Sequence, residues 1–131
     1  MTAQLHAGGC QCGAVRFEAT ADLDRTISCN CSRCRRLGSI LTFAPAGAFR
    51  LLSGDSELTE YLFNKRHIRH LFCKVCGIQP FARGTAPDGT ETIAINVRTL
   101  DGVEPDTLTP QKFDGRSRQL NPFFLFVHCL N

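Results

Sequence analysis

No stretch of this 131-residue chain approaches the roughly 18 consecutive apolar residues of a membrane span. The opening MTAQLHAGGC lacks the basic region followed by an apolar one that a secretory leader needs. A cytoplasmic protein with no membrane partner is therefore expected. Charge of one sign is scarce too: the formal net charge is +3, with no block of like charges and no extended basic tail. A nucleic-acid footprint needs basic residues gathered on one face, so no nucleic-acid partner is expected. Proline-rich, glycine/serine-rich and repeated segments are missing, which removes disordered and collagen-like readings. Also missing are a Ser/His/Asp triad, a phosphate loop and a paired-carboxylate site. Hydrophobic residues at 43% and charged residues at 21% describe an ordinary globular chain whose length fits a single domain over residues 1–131.

What the chain has in quantity is cysteine, eight in all. A reducing compartment disfavours disulfides, so metal binding becomes the leading explanation for them.

The pattern around the cysteines is that of short strands. AVRFEAT, LTEYLFN, RHIRHLFC and ETIAINV carry period-two or β-rich runs, separated by turn signals such as SGDS and APDGT. Strands joined by short turns imply a mainly β fold of antiparallel sheets. Between Asp101 and Gly115 the sequence turns polar, carries Pro105 and Pro110, and is expected to hold at most a helical turn. The C-terminal NPFFLFVHCL is the most apolar segment and reads as a strand closing the core or as an oligomer edge.

Cys10 and Cys12 form C-x-C, Cys73 and Cys76 form C-x-x-C before Gly77, and Cys29, Cys31 and Cys34 form C-x-C-x-x-C. Two short pairs far apart in sequence are able to supply four thiolates to one tetrahedral zinc with no position left for substrate. Cys10, Cys12, Cys73 and Cys76 are therefore the expected structural set. In CKVCG the two-residue gap lets both sulfurs face one ion, and Gly77 tolerates a positive φ. Such a clip closes a loop of about sixty residues and should contribute to folding. Cys29, Cys31 and Cys34 can converge from a single turn on a second zinc whose fourth position stays open. Three thiolates weaken the Lewis acidity of such an ion and suit it to holding a further soft sulfur ligand. A substrate thiol bound there becomes a thiolate, the nucleophile that adds to a small aldehyde.

The neighbours of these cysteines admit two readings each. Arg33, Arg35 and Arg36 either favour thiolates and attract the carboxylates of an anionic thiol, or form a solvated basic turn. Gln79 and Phe81 follow the C-x-x-C pair and either line a pocket or, for Phe81 above all, pack beside the metal. His67 and His70 fall on opposite faces of a strand and are expected on an exposed polar element, not on a shared ion. Cys129 could complete the second zinc site but reads more simply as a buried thiol, and the adjacent His128 as surface.

GGCQCGAVRFEA, CNCSRCRRLG, FCKVCGIQPFARG and INVRTLDG appear in the order found in the glutathione-dependent formaldehyde-activating enzyme family, which also includes centromere protein V. The chain resembles that family from about Leu5 to Arg118. The resemblance implies a β-tent of antiparallel sheets with a structural zinc on Cys10, Cys12, Cys73 and Cys76. It also implies a catalytic zinc on Cys29, Cys31 and Cys34. The reaction implied joins glutathione and formaldehyde into S-hydroxymethylglutathione, a carbon–sulfur lyase reaction in the other direction. The segment PQKFDGRSRQL departs from the enzyme-like pattern, which bears a histidine there and a tryptophan later, a residue this chain lacks.

Three classes of function follow. A zinc-dependent carbon–sulfur lyase-type enzyme acting on thiol–aldehyde adducts is preferred, because a structural zinc alone leaves the C-x-C-x-x-C cluster unused. A zinc-stabilised binding module without catalysis is the alternative. A thiol-rich metal store or redox sensor is the third.

Overall fold

The protein is described by a computed structural model over residues 3–118. Its elements are β1 (Gln4–Gly9), β2 (Arg16–Ala21), β3 (Ile27–Cys29), the helical turn α1 (Cys34–Leu37), β4 (Leu41–Pro45) and β5 (Phe49–Ser53). There follow β6 (Leu58–Tyr61), β7 (Ile68–Cys73), β8 (Phe81–Thr85), β9 (Glu91–Asn96) and β10 (Gln111–Phe113). The strands form a 3-stranded sheet in the order β1-β2-β5 and a 7-stranded sheet in the order β10-β3-β4-β9-β8-β7-β6. No helix among the described residues is long and apolar enough to cross a membrane.

The mainly β expectation holds, with one departure. β10 pairs parallel with β3, placing Phe113 opposite Cys29, whereas the other strand pairs are antiparallel. The segment expected to hold at most a helical turn thus contains a 3-10 turn at Pro105–Thr107 and also a strand. Three residues are too few to announce a period. Their partner is the free edge of β3, which only the tertiary fold brings near.

Alternation along the strands separates two faces of the larger sheet. On one face Thr42, Ala44, Phe81, Ile93 and Ile95 are buried, packed toward Phe17 and Ala19 of the smaller sheet. The rings of Phe17, Phe49 and Phe81 meet there at centroid distances of 5.4, 6.0 and 4.6 Å. A phenylalanine buried in this way contributes about 2–3 kcal/mol of transfer free energy.

The opposite face carries a cross-strand row. Register sets His70 against Ala82, Ala82 against Ala94, and Ala94 against Phe43. Two alanines between two larger side chains leave a hollow in the sheet surface. Directly over this face lies a cavity of about 390 Å³.

Candidate functional site

Both cysteine clusters sit at strand ends, where the chain turns sharply enough to aim successive sulfurs inward. Cys10 and Cys12 follow β1, while Cys73 ends β7 and Cys76 lies in the turn beyond it. The first pair belongs to the small sheet and the second to the large one, so their meeting ties the two sheets together. Their four ligand atoms lie within 4.8 Å of one another. The Cys12 sulfur stands 3.6 Å from that of Cys10 and 3.7 Å from that of Cys73. A disulfide needs about 2.05 Å, whereas sulfurs about 2.3 Å from one tetrahedral ion stand about 3.8 Å apart. Donors arranged for thiolates complete the cluster. Val15 N–H donates to Cys10 Sγ at 3.2 Å, and Val75 N–H donates to Cys73 Sγ at 3.4 Å. Gly77 adopts φ +82°, the conformation expected of it, and its N–H closes the turn onto Cys73 O at 2.7 Å. The Ile78 backbone N–H lowers the Cys76 thiol to about 6, so this ligand ionises readily.

Cys29 at the end of β3, Cys31, and Cys34 at the start of α1 bring three sulfurs together, again within 4.8 Å. Cys31 N–H donates to Cys29 Sγ at 3.4 Å and Cys34 N–H to Cys31 Sγ at 3.3 Å. The Cys34 thiol is the main cause lowering Cys31 to about 5, and the same hydrogen bond pushes Cys34 up. The thiols share hydrogen bonds, in a place where a cation would displace their protons. Among the described residues no fourth cysteine, histidine or carboxylate joins the three. Cys129, His128 and the apolar segment containing them lie outside the described residues.

The three cysteines line the 390 Å³ cavity, together with Ser39, His70 and Gln79. His70 corrects the expectation of an exposed polar strand. His67 and Arg69 are exposed, but His70 is 7% exposed and its ring meets that of Phe63 in a tilted arrangement at 5.0 Å. Burial first, and then the Arg33 charge, lowers its pKa to about 4, so the ring is neutral at pH 7. Its neighbours on β6 and β8 turn a face that reads as polar toward the cavity instead of toward water.

Of the three arginines singled out from the sequence, none lines the cavity. Arg33 directs Nε and Nη2 to Gln79 Oε1 at 3.0 and 2.6 Å and lies over the Tyr61 ring at 4.7 Å. Arg35 is exposed, and Arg36 Nη1 donates to Ser32 O at 2.7 Å. Gln79 is buried beside the cavity, held by Arg33, while Phe81 packs in the core. Arg33→Ala should leave the Gln79 carbonyl buried without its donor and cost about 1–3 kcal/mol in urea unfolding, with metal content unchanged. A variant as stable as the parent would show that this bond does not hold the site together.

Two contributors escaped sequence reading. Arg118 lines the cavity, with its guanidinium 4.9 Å from the Phe113 ring. Gly115 is buried against the second cluster, so close that an added Cβ would meet Cys29 Sγ at 2.5 Å. Asn30 stitches this segment to the cysteine turn: its N–H donates to Phe113 O at 3.2 Å, its Nδ2 to Asp114 Oδ1 at 3.1 Å, and its Oδ1 accepts from Arg116 N–H at 2.8 Å. No local pattern signals these positions, because their role comes from the β3–β10 pairing.

The sequence profile of the family described as glutathione-dependent formaldehyde-activating enzyme matches residues 5–114. Among solved structures, the chain is similar to a protein of Rhodobacter sphaeroides known from its crystal structure. The two are 34% identical and superpose with a TM-score of 0.72 over 81% of this chain and 97% of that one.

Proposed function

Because the chain belongs to the glutathione-dependent formaldehyde-activating enzyme family, we propose that it is a zinc-dependent enzyme of carbon–sulfur lyase type acting on thiol–aldehyde adducts. The observation that carries this reading is the three-cysteine cluster opening into a cavity that also presents His70 and Ser39. Cys10, Cys12, Cys73 and Cys76 would hold a structural zinc, and Cys29, Cys31 and Cys34 a second one. When bound by three thiolates, the second zinc supplies affinity for a fourth sulfur and favours its ionised form. Glutathione and formaldehyde, the partners in the family's name, are the first substrates to assay. All seven described cysteines are free, which accords with a reducing cytoplasm.

The chain's own residues supply the rest. In the cleavage direction the carbon–sulfur bond breaks with its electron pair going to sulfur, the hydroxyl loses its proton, and the carbonyl forms. In synthesis the thiolate sulfur adds to the carbonyl carbon and the oxygen takes up a proton. We assign to His70, which lines the cavity, the relay of that proton: in synthesis it would pass the proton released by the bound thiol to the oxygen, and in cleavage it would pass the hydroxyl proton back to the departing sulfur.

The test is cobalt substitution followed by titration with 2-mercaptoethanol. A changed sulfur-to-cobalt charge-transfer band, seen equally in Cys129→Ser, is the expected result. A band that no thiol moves would mean the cluster is closed, leaving the zinc-stabilised binding module as the reading.

A further inference from the structure

Resting on the open-site reading above, we propose that the cavity selects thiol adducts bearing an apolar substituent, aliphatic or aromatic, over those of an anionic peptide thiol. The hollow is built from the row in which Ala82 and Ala94 lie between His70 and Phe43, one row of small side chains flanked by rings. Ile27 and Leu41, paired across β3 and β4, continue the same wall. Phe63, Ile68 and Phe113 also line the space. Among the described residues Arg118 is the one lining residue with a permanent charge, and its guanidinium already faces the Phe113 ring.

Glutathione carries two carboxylates, an ammonium and two peptide groups. Each one set against alanine, leucine or phenylalanine loses hydration without gaining a partner. A substituent made of methylenes or a phenyl ring meets the opposite balance, since the wall gains by being covered. Ser39 and His70 line the cavity beside the cluster, and the Ser39 hydroxyl is already engaged with the Cys34 thiol, so this end of the wall offers few polar groups to a peptide.

The experiment compares benzyl mercaptan with glutathione on the cobalt-substituted full chain, following the charge-transfer band, in the parent and in Phe43→Lys. Phe43 is half exposed on the cavity rim, so this variant should fold, which circular dichroism would verify. Benzyl mercaptan should bind about tenfold or more tightly than glutathione, as expected from taking a phenyl ring out of water. Phe43→Lys should erase most of that ratio. Glutathione binding as well as or better than benzyl mercaptan overturns the proposal while leaving the open metal site standing. A tenfold preference untouched by Phe43→Lys overturns the assignment of the substituent to this wall. Silence toward every thiol, 2-mercaptoethanol included, removes both this proposal and the reading it rests on.

Discussion

Cys76→Ser should abolish cooperative folding, whereas Cys31→Ser should leave a folded protein that has lost one metal equivalent. The two cysteines are alike in chemistry and differ in what their clusters join. Cys76 belongs to the set that links the β1–β2 hairpin of the small sheet to the β7–β8 hairpin of the large one, across 61 positions between Cys12 and Cys73. A tetrathiolate zinc supplies about 10–16 kcal/mol of binding free energy that doubles as folding free energy. Domains of this kind are stable by only about 5–15 kcal/mol, so losing a ligand there removes a quantity as large as the whole. Serine offers a neutral oxygen in place of a thiolate and does not restore it. The three cysteines of the second cluster come from one turn, close no long loop, and sit beside a cavity instead of between sheets. Cys31→Ser should therefore shift the melting temperature by about 5 °C or less. Thermal melts followed by circular dichroism, with metal counted by atomic emission, make the comparison. Equal destabilisation by the two substitutions would refute the division into a structural and an open site.

Which sulfurs of one turn face together was legible in the sequence, because one- and two-residue gaps settle it before any tertiary contact forms, whereas the meeting of the Cys10–Cys12 turn with the Cys73–Cys76 turn depends on how the two sheets pack. Strands with long alternating runs were legible because their pattern too is local, as in ETIAINV, which became β9 with Ile93 and Ile95 buried. The cavity was not legible. Its existence depends on Ala82 and Ala94 meeting across β8 and β9, and pairing register is not written in either strand alone. His70 was misread because RHIRH looks polar on both sides. Only the apposition with Tyr61 on β6 and Ala82 on β8 shows that one side faces a protected hollow. The arginines beside the cluster drew attention by proximity in sequence, yet Arg33 turns to Gln79 and Arg36 to Ser32, and among the described residues the cation that lines the cavity is Arg118, some eighty residues further along.

Gly115→Ala should disable the second cluster without altering any ligand. Gly115 does not have a positive φ, so alanine introduces no backbone strain and the effect falls on one added carbon. That carbon would stand 2.5 Å from Cys29 Sγ and 3.4 Å from Cys31 Cβ, the first far inside van der Waals contact. Something must move by about 1 Å. The segment does not swing away freely, because Phe113 O, Asp114 Oδ1 and the Arg116 N–H are all bonded to Asn30 between the two cysteines. Displacement therefore falls on the Cys29 sulfur, while metal–ligand distances tolerate only about 0.2 Å. The expected outcome is a second metal held about 10–100-fold more weakly, the loss typical when the surroundings of a ligand are disturbed. The structural set, built from other strands, should keep its metal and the protein its melting temperature. Competition with a chromogenic chelator separates the sites as a fast and a slow phase of release. Only the fast phase should respond in Gly115→Ala, and Arg116→Ala, which keeps the backbone N–H that Asn30 binds, should behave as the parent. Unchanged release in Gly115→Ala would mean that the β10 segment yields to the methyl group, and that its close approach to Cys29 has no part in holding the metal.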